Sequence, residues 1–202
     1  LRKMKKSILI ASCLILVSTS IVFADSNTIE KSNLSTSSEE KAISSCTILG
    51  YEFTYENAPK FAKEEYEKSC EELNITPDKN HKIFITEDAM DLHNIDGSNS
   101  VTKDPLYIEF KGSYFLVTGY KNYRVDIAAK SSIVGYNNTT EGNPVHLAQV
   151  LCNKIVGSGI STDGQFGPAT YNAVKSLQGK LGLTKDGIVG KNTWEAAGKA
   201  LK

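Results

Sequence analysis

The chain has 202 residues, enough for one or two domains, with 23 basic and 23 acidic side chains and a formal net charge of zero. That balance, an acidic middle and the lack of a Gly-rich phosphate loop speak against a nucleic-acid binder. The charge is uneven: residues 46–141 carry 10 basic against 16 acidic side chains (net −6), whereas from 142 onward seven lysines face only Asp163, Asp186 and Glu195 (net +4).

Arg2, Lys3, Lys5 and Lys6 precede any acid, and an apolar run from Ile8 to Val17 follows. Val22-Phe23-Ala24 then gives a small-x-small site before Asp25. This is the pattern of a secretory signal peptide over residues 1–24, with Leu1 to Lys3 as an upstream extension. The expected mature chain is secreted and carries 19 basic against 23 acidic residues. Ile10-Ala11-Ser12-Cys13 offers an alternative, a lipid anchor at Cys13, but its apolar run is short of the usual 7–15 or so residues and continues past the cysteine. The run also falls short of the ~20 residues of a spanning helix, so no stable membrane span is expected after cleavage. Residues 25–45, rich in Ser, Thr, Asn, Glu and Lys, read as a flexible linker that buries too little apolar surface to fold.

Residues 46–136 read as a small α+β domain. Pro59 to Leu73 spaces Ala62, Tyr66, Cys70 and Leu73 along one helical face, with Glu and Lys opposite. Ile83, Phe84 and Ile85 mark a strand within His81–Glu87. Leu106, Ile108 and Phe110 alternate, Lys111-Gly112 turns the chain, and Tyr114 to Thr118 returns as a hairpin, with a further strand at Tyr123 to Ile127. Asn94 to Asp104 reads as a loop. The expectation is one helix against an antiparallel sheet, followed by a linker at 137–141.

Several groups here carry potential chemistry. Cys46 and Cys70 are a candidate disulfide in an exported protein, and Cys152 reads as a buried, inert thiol. Either of the first two, with His81 or His93, would make a Cys–His nucleophile pair, yet no Gly-rich or Ser-Gly turn surrounds them. Asp88, Asp91, His93 and Asp96 resemble metal-ligand chemistry, but they fail the calcium-loop register and lack the paired zinc spacings; a solvated acidic loop is the plainer reading. Glu64, Glu65, Glu67, Glu71 and Glu72 form a charge run on the helix. Tyr107, Tyr114, Tyr120 and Tyr123 suit either sheet propensity or sugar stacking. No catalytic residue, cofactor or metal site is assigned.

The most informative stretch is DGQFGPATYNAVKSLQ, Asp163 to Gln178. It returns as DGIVGKNTWEAAGKAL from Asp186 at an offset of 23, pairing Gly164 with Gly187, Phe166 with Val189, Gly167 with Gly190 and Thr170 with Thr193. Asp-Gly makes a tight turn. Pro168 in one copy and Asn192 in the other can open a helix, and the threonine hydroxyls lie where helix amides are free.

These motifs, with Gly142, Val145, Ala148, Gln149, Cys152 and Asn153 upstream, resemble the three-helix peptidoglycan-binding domain of bacterial wall proteins, over residues 142–202. Ala148 and Cys152 stand where that family has leucines. The resemblance implies an all-α module and a ligand groove beside the repeated loops: Thr162, Asp163, Gly164, Phe166, Gly167, Thr170 and Tyr171, then Asp186, Gly187, Val189, Gly190, Thr193 and Trp194. It implies noncovalent retention on peptidoglycan by a secreted, monomeric binding protein, with residues 46–136 displayed to the wall or to another wall protein. The alternative is a wall hydrolase whose catalytic middle domain is targeted by the module.

Overall fold

The computed structural model of the chain describes residues 41–97 and 102–201. The signal peptide, the Cys13 lipobox and residues 25–40 of the expected linker lie outside the described residues.

The fold is mixed α+β. Among the described residues five strands, β1 (Ser44–Thr54), β2 (Lys82–Thr86), β3 (Thr102–Phe110), β4 (Tyr114–Gly119) and β5 (Tyr123–Asp126), form one antiparallel sheet in the order β2-β1-β3-β4-β5. Among the described residues five helices accompany it: α1 (Lys60–Leu73), α2 (Glu87–Leu92), α3 (Asn143–Val156), α4 (Pro168–Lys180) and α5 (Lys191–Ala200). The hairpin forms as its alternation predicts, pairing Phe110 with Phe115 and Ile108 with Val117.

Three elements differ from expectation. The strand β1 lies where no element is expected, and its first residues fall in the expected linker. Gly50 interrupts its apolar run, and the reason is packing: a Cβ at Gly50 would lie 2.4 Å from Cζ of Phe84. The acidic stretch after β2 is not a loop but the helix α2. Thr86 caps it by accepting a hydrogen bond from Ala89 N at 3.3 Å, and Glu87 and Asp88 occupy the first turn, where negative charge opposes the helix dipole. Finally, the loop expected to run to Asp104 ends where β3 starts, at Thr102.

Along α1, Ala62, Tyr66, Ser69 and Cys70 are buried and Glu64, Glu67, Glu71 and Glu72 are exposed, as an amphipathic helix requires. Asn74 ends it in the left-handed conformation. β2 is covered on both faces. Ile83 and Ile85 join Phe53, Tyr66 and Met90 in one buried cluster, while Phe84 joins the other. That larger cluster combines the inner face of the sheet (Ile48, Leu106, Ile108, Phe110, Phe115) with Leu147, Leu151, Val174, Leu177 and Trp194 of α3, α4 and α5. Ala148 and Cys152 belong to it, with no exposed surface. Residues 46–136 and 142–202 thus contribute to one core.

Candidate functional site

Each Asp-Gly loop is held by a glutamine from the helix that precedes it. Gln149 of α3 donates from Nε2 to Asp163 Oδ1 (2.6 Å), Gln165 O (3.1 Å) and Thr170 Oγ1 (2.9 Å), and accepts from Gly164 N at Oε1 (2.8 Å). Gln178 of α4 makes the same set to the second loop: Asp186 Oδ1 (2.6 Å), Ile188 O (2.9 Å), Thr193 Oγ1 (3.4 Å) and Gly187 N (2.9 Å). In each loop the aspartate also accepts from the backbone two residues on, Gln165 N at 2.9 Å and Ile188 N at 2.8 Å. The sequence pattern places the threonine hydroxyls at helix amides. They instead meet the glutamine amide and the loop carbonyls of Gln165 and Ile188, and neither α4 nor α5 has a side-chain cap. Gln149 and Gln178 are not among the expected site residues, although both lie inside the motifs. Their signal in the sequence is a glutamine in the helix before each Asp-Gly turn.

The two loops sit in opposite surroundings. Around the first, Thr162, Asp163, Gly164, Phe166, Gly167 and Thr170 are all buried. What buries them is the middle segment. Ser161 N donates to Glu65 Oε2 at 2.7 Å, and Thr162 exchanges two backbone hydrogen bonds with Phe84 of β2. His81 donates from Nε2 to Asp163 O at 2.7 Å while stacking on Tyr66. His93 donates to Gly159 O at 2.9 Å while stacking on Phe61. Burial pushes the Asp163 carboxyl up to about 7, against the opposing pull of Gln149 and the Gln165 amide. Burial likewise raises Glu65.

Around the second loop, Asp186, Ile188, Lys191 and Asn192 are exposed and Gly190 is partly so, whereas Gly187, Val189, Thr193 and Trp194 are buried. Trp194 is fully buried. Its Nε1 donates to Ser132 O at 2.8 Å and its ring stands edge-on to Phe115 at 5.7 Å. Val189 exchanges backbone hydrogen bonds with Val134. Tyr171, half-buried, lies 5.5 Å from the ring of Tyr136, with Lys175 Nζ 5.2 Å from its centroid. Tyr136 stands edge-on to Phe166 at 5.1 Å.

The other sequence candidates separate. His81 and His93 hold backbone carbonyls rather than thiols. Cys46, Cys70 and Cys152 are free, with Cys46 packed against the larger cluster and Cys70 inside the smaller, so the candidate Cys46–Cys70 disulfide is not formed. Burial raises all three thiols, Cys152 to about 12, away from the reactive thiolate. Asp88 and Asp91 lie on α2, and among the described residues no three His, Cys, Asp or Glu side chains gather as a metal site.

Comparison with known proteins links the chain to peptidoglycan binding. Two family models match it: a "Putative peptidoglycan-binding domain" over residues 44–104, and a second peptidoglycan-binding domain model over residues 141–197. A curated protein of Kitasatospora aureofaciens, described as an uncharacterized protein in the bpoA1 3′ region, is 48% identical over 44 residues, which span 22% of this chain and 37% of that one. A solved structure, a peptidoglycan-binding protein from Clostridioides difficile in complex with glutamine hydroxamate, is 31% identical with a TM-score of 0.64, covering 75% of this chain and 92% of its own. The chain therefore belongs to the family of that peptidoglycan-binding protein.

Proposed function

We propose that the chain is an exported, wall-associated binding protein, held noncovalently on peptidoglycan by residues 142–202, which act as a three-helix module with a duplicated loop–helix unit. The contact is made at the second loop, not the first: Asp186, Gly190 and the start of α5, with Tyr171 of α4 and Tyr136 beside them.

One observation carries this reading. The two loops are built by the same hydrogen bonds, but the first is covered by α1, β2 and two histidines, and only the second reaches the surface. The tyrosine pair offers a flat apolar face with polar tips, suited to a sugar ring or peptide plane. The excess of lysines from 142 onward favours an anionic polymer. The C. difficile relative was crystallised with an amino-acid derivative, which is in keeping with a ligand that has peptide as well as glycan character.

Amide-resolved NMR of the full chain with soluble muropeptides tests this assignment. Shifts are expected at Tyr136, Tyr171 and Asp186 to Asn192. Shifts confined to Thr162 to Gly167 would contradict it.

A further inference from the structure

β1 is paired on both sides over only part of its length. β3 runs beside it from Ser44 to Glu52, but β2 only from Gly50 to Thr54. Among the described residues, Ser45 to Leu49 therefore has one free edge. In an antiparallel ladder alternate residues direct their N–H and C=O groups to opposite neighbours, so part of this stretch turns them outward. Such an edge is a template for another extended chain unless it is covered or charged.

Two adjoining cavities lie along this stretch of β1, the larger of them over its pairing with β3. One, of about 200 Å³, lies between Thr47 to Leu49, the Thr86–Asp88 turn and the end of α3. The other, of about 480 Å³, is bounded by Ser45, Cys46, Tyr107 and Glu109. Thr47 and Lys154 line both. Lys154 is exposed and has no ion-pair partner among the described residues. Asp88 also lines the smaller cavity. Leu49 and Tyr107, 42% and 45% exposed, supply apolar surface alongside. Five strand residues span about 17 Å, the length of a four- or five-residue peptide.

We propose that this edge binds a short extended peptide carrying both a carboxylate and an ammonium group, the chemistry of a peptidoglycan stem peptide. The peptide adds as a strand beside Ser45–Leu49, its carboxylate at Lys154 and its ammonium at Asp88. This rests on the wall-binding reading above. It gives residues 44–104 a ligand site of their own, so one chain would hold the polymer at two points.

The test is an NMR titration of the full chain with synthetic L-Ala-γ-D-Glu-meso-diaminopimelyl-D-Ala. Shifts are expected at Ser45 to Leu49 and at Lys154, and they should vanish with a backbone N-methylated peptide, which cannot pair as a strand. Lys154→Gln should weaken binding on the order of tenfold, whereas Lys180→Gln, with the same charge change, should not. Equal binding of the N-methylated peptide, or unchanged binding by Lys154→Gln, overturns the proposal. If the full chain pellets with insoluble peptidoglycan while the peptide leaves the β1 edge unshifted, this inference fails and the wall-binding reading stands. If neither occurs, both fail. Concentration-dependent dimerisation in sedimentation velocity, with the β1-edge resonances lost, would make a second copy the occupant and overturn it too.

Discussion

Gly198 of α5 lies flat against the ring of Phe110 in β3: a Cβ added at Gly198 would sit 2.5 Å from Cγ of that ring. The helix that ends the chain and the central hairpin are in direct contact, with Trp194 and Phe115 meeting one turn away. Gly198→Val should therefore destabilise the protein by about 3 kcal/mol, since overpacking a filled core displaces backbone as well as side chains. Because the core is shared, urea unfolding followed by the single tryptophan and by far-ultraviolet circular dichroism should give one coincident transition. Two separated transitions would contradict the shared core.

The paired glutamines should differ in worth. Gln149→Leu leaves the buried Asp163 carboxyl and the Gly164 amide without their partner, whereas Gln178→Leu strips a loop whose aspartate is exposed. Chemical denaturation should show a loss of roughly 3 kcal/mol for the first and about 1 kcal/mol for the second, following the cost of orphaned buried polar groups. Equal losses would mean that burial of the first loop is unimportant.

Asp163 also predicts a pH signature. Its carboxyl is pushed from 3.8 up to about 7 in the folded chain, mainly by burial. As pH rises from about 4 to 7 the unfolded chain has released this proton and the folded chain still holds it, so the contribution to stability falls through that window. His81 and His146 act oppositely. Burial lowers both, so their contribution is present above 6.5 and is lost as pH falls below it. Asp163→Asn keeps an Oδ1 acceptor for Gln149 and removes only the first trend. The stability of the variant relative to the parent should climb from pH 4 to 7 and then level off. Parallel pH profiles would show that Asp163 does not titrate in this range.

Tyr171→Ala should weaken peptidoglycan binding roughly tenfold while the variant stays folded, because the side chain is half-buried at the rim rather than in the core. Tyr136→Ala should act in the same direction, since the two rings support each other. Unchanged binding by a folded Tyr171→Ala protein would remove this tyrosine from the contact.

Local pattern made the hairpin, α1 and the starts of α3 and α4 legible, because alternation at Leu106, Ile108 and Phe110, helical spacing at Ala62, Tyr66 and Cys70, and Pro168 each act within a few residues. β1 was hidden by Gly50, whose role depends on Phe84 more than thirty positions away. α2 is hidden because Asp88 and Asp91 suit a ligand loop as well as a helix, and what marks the helix, Thr86 as cap with Glu87 and Asp88 in the first turn, is a short local signal. Burial of the first loop was unreadable for the same reason as β1: Glu65, His81 and His93 grip Gly159 to Asp163 across long stretches of chain, and no spacing rule connects them.

The most direct test of wall retention is cosedimentation of the full chain with purified insoluble peptidoglycan, beside a Tyr136→Ala/Tyr171→Ala double variant, with turbidity followed over hours. The full chain should pellet, the folded double variant should remain largely in solution, and turbidity should hold. A full chain that stays in the supernatant would contradict retention on peptidoglycan, and a steady fall in turbidity would make the protein a wall hydrolase instead.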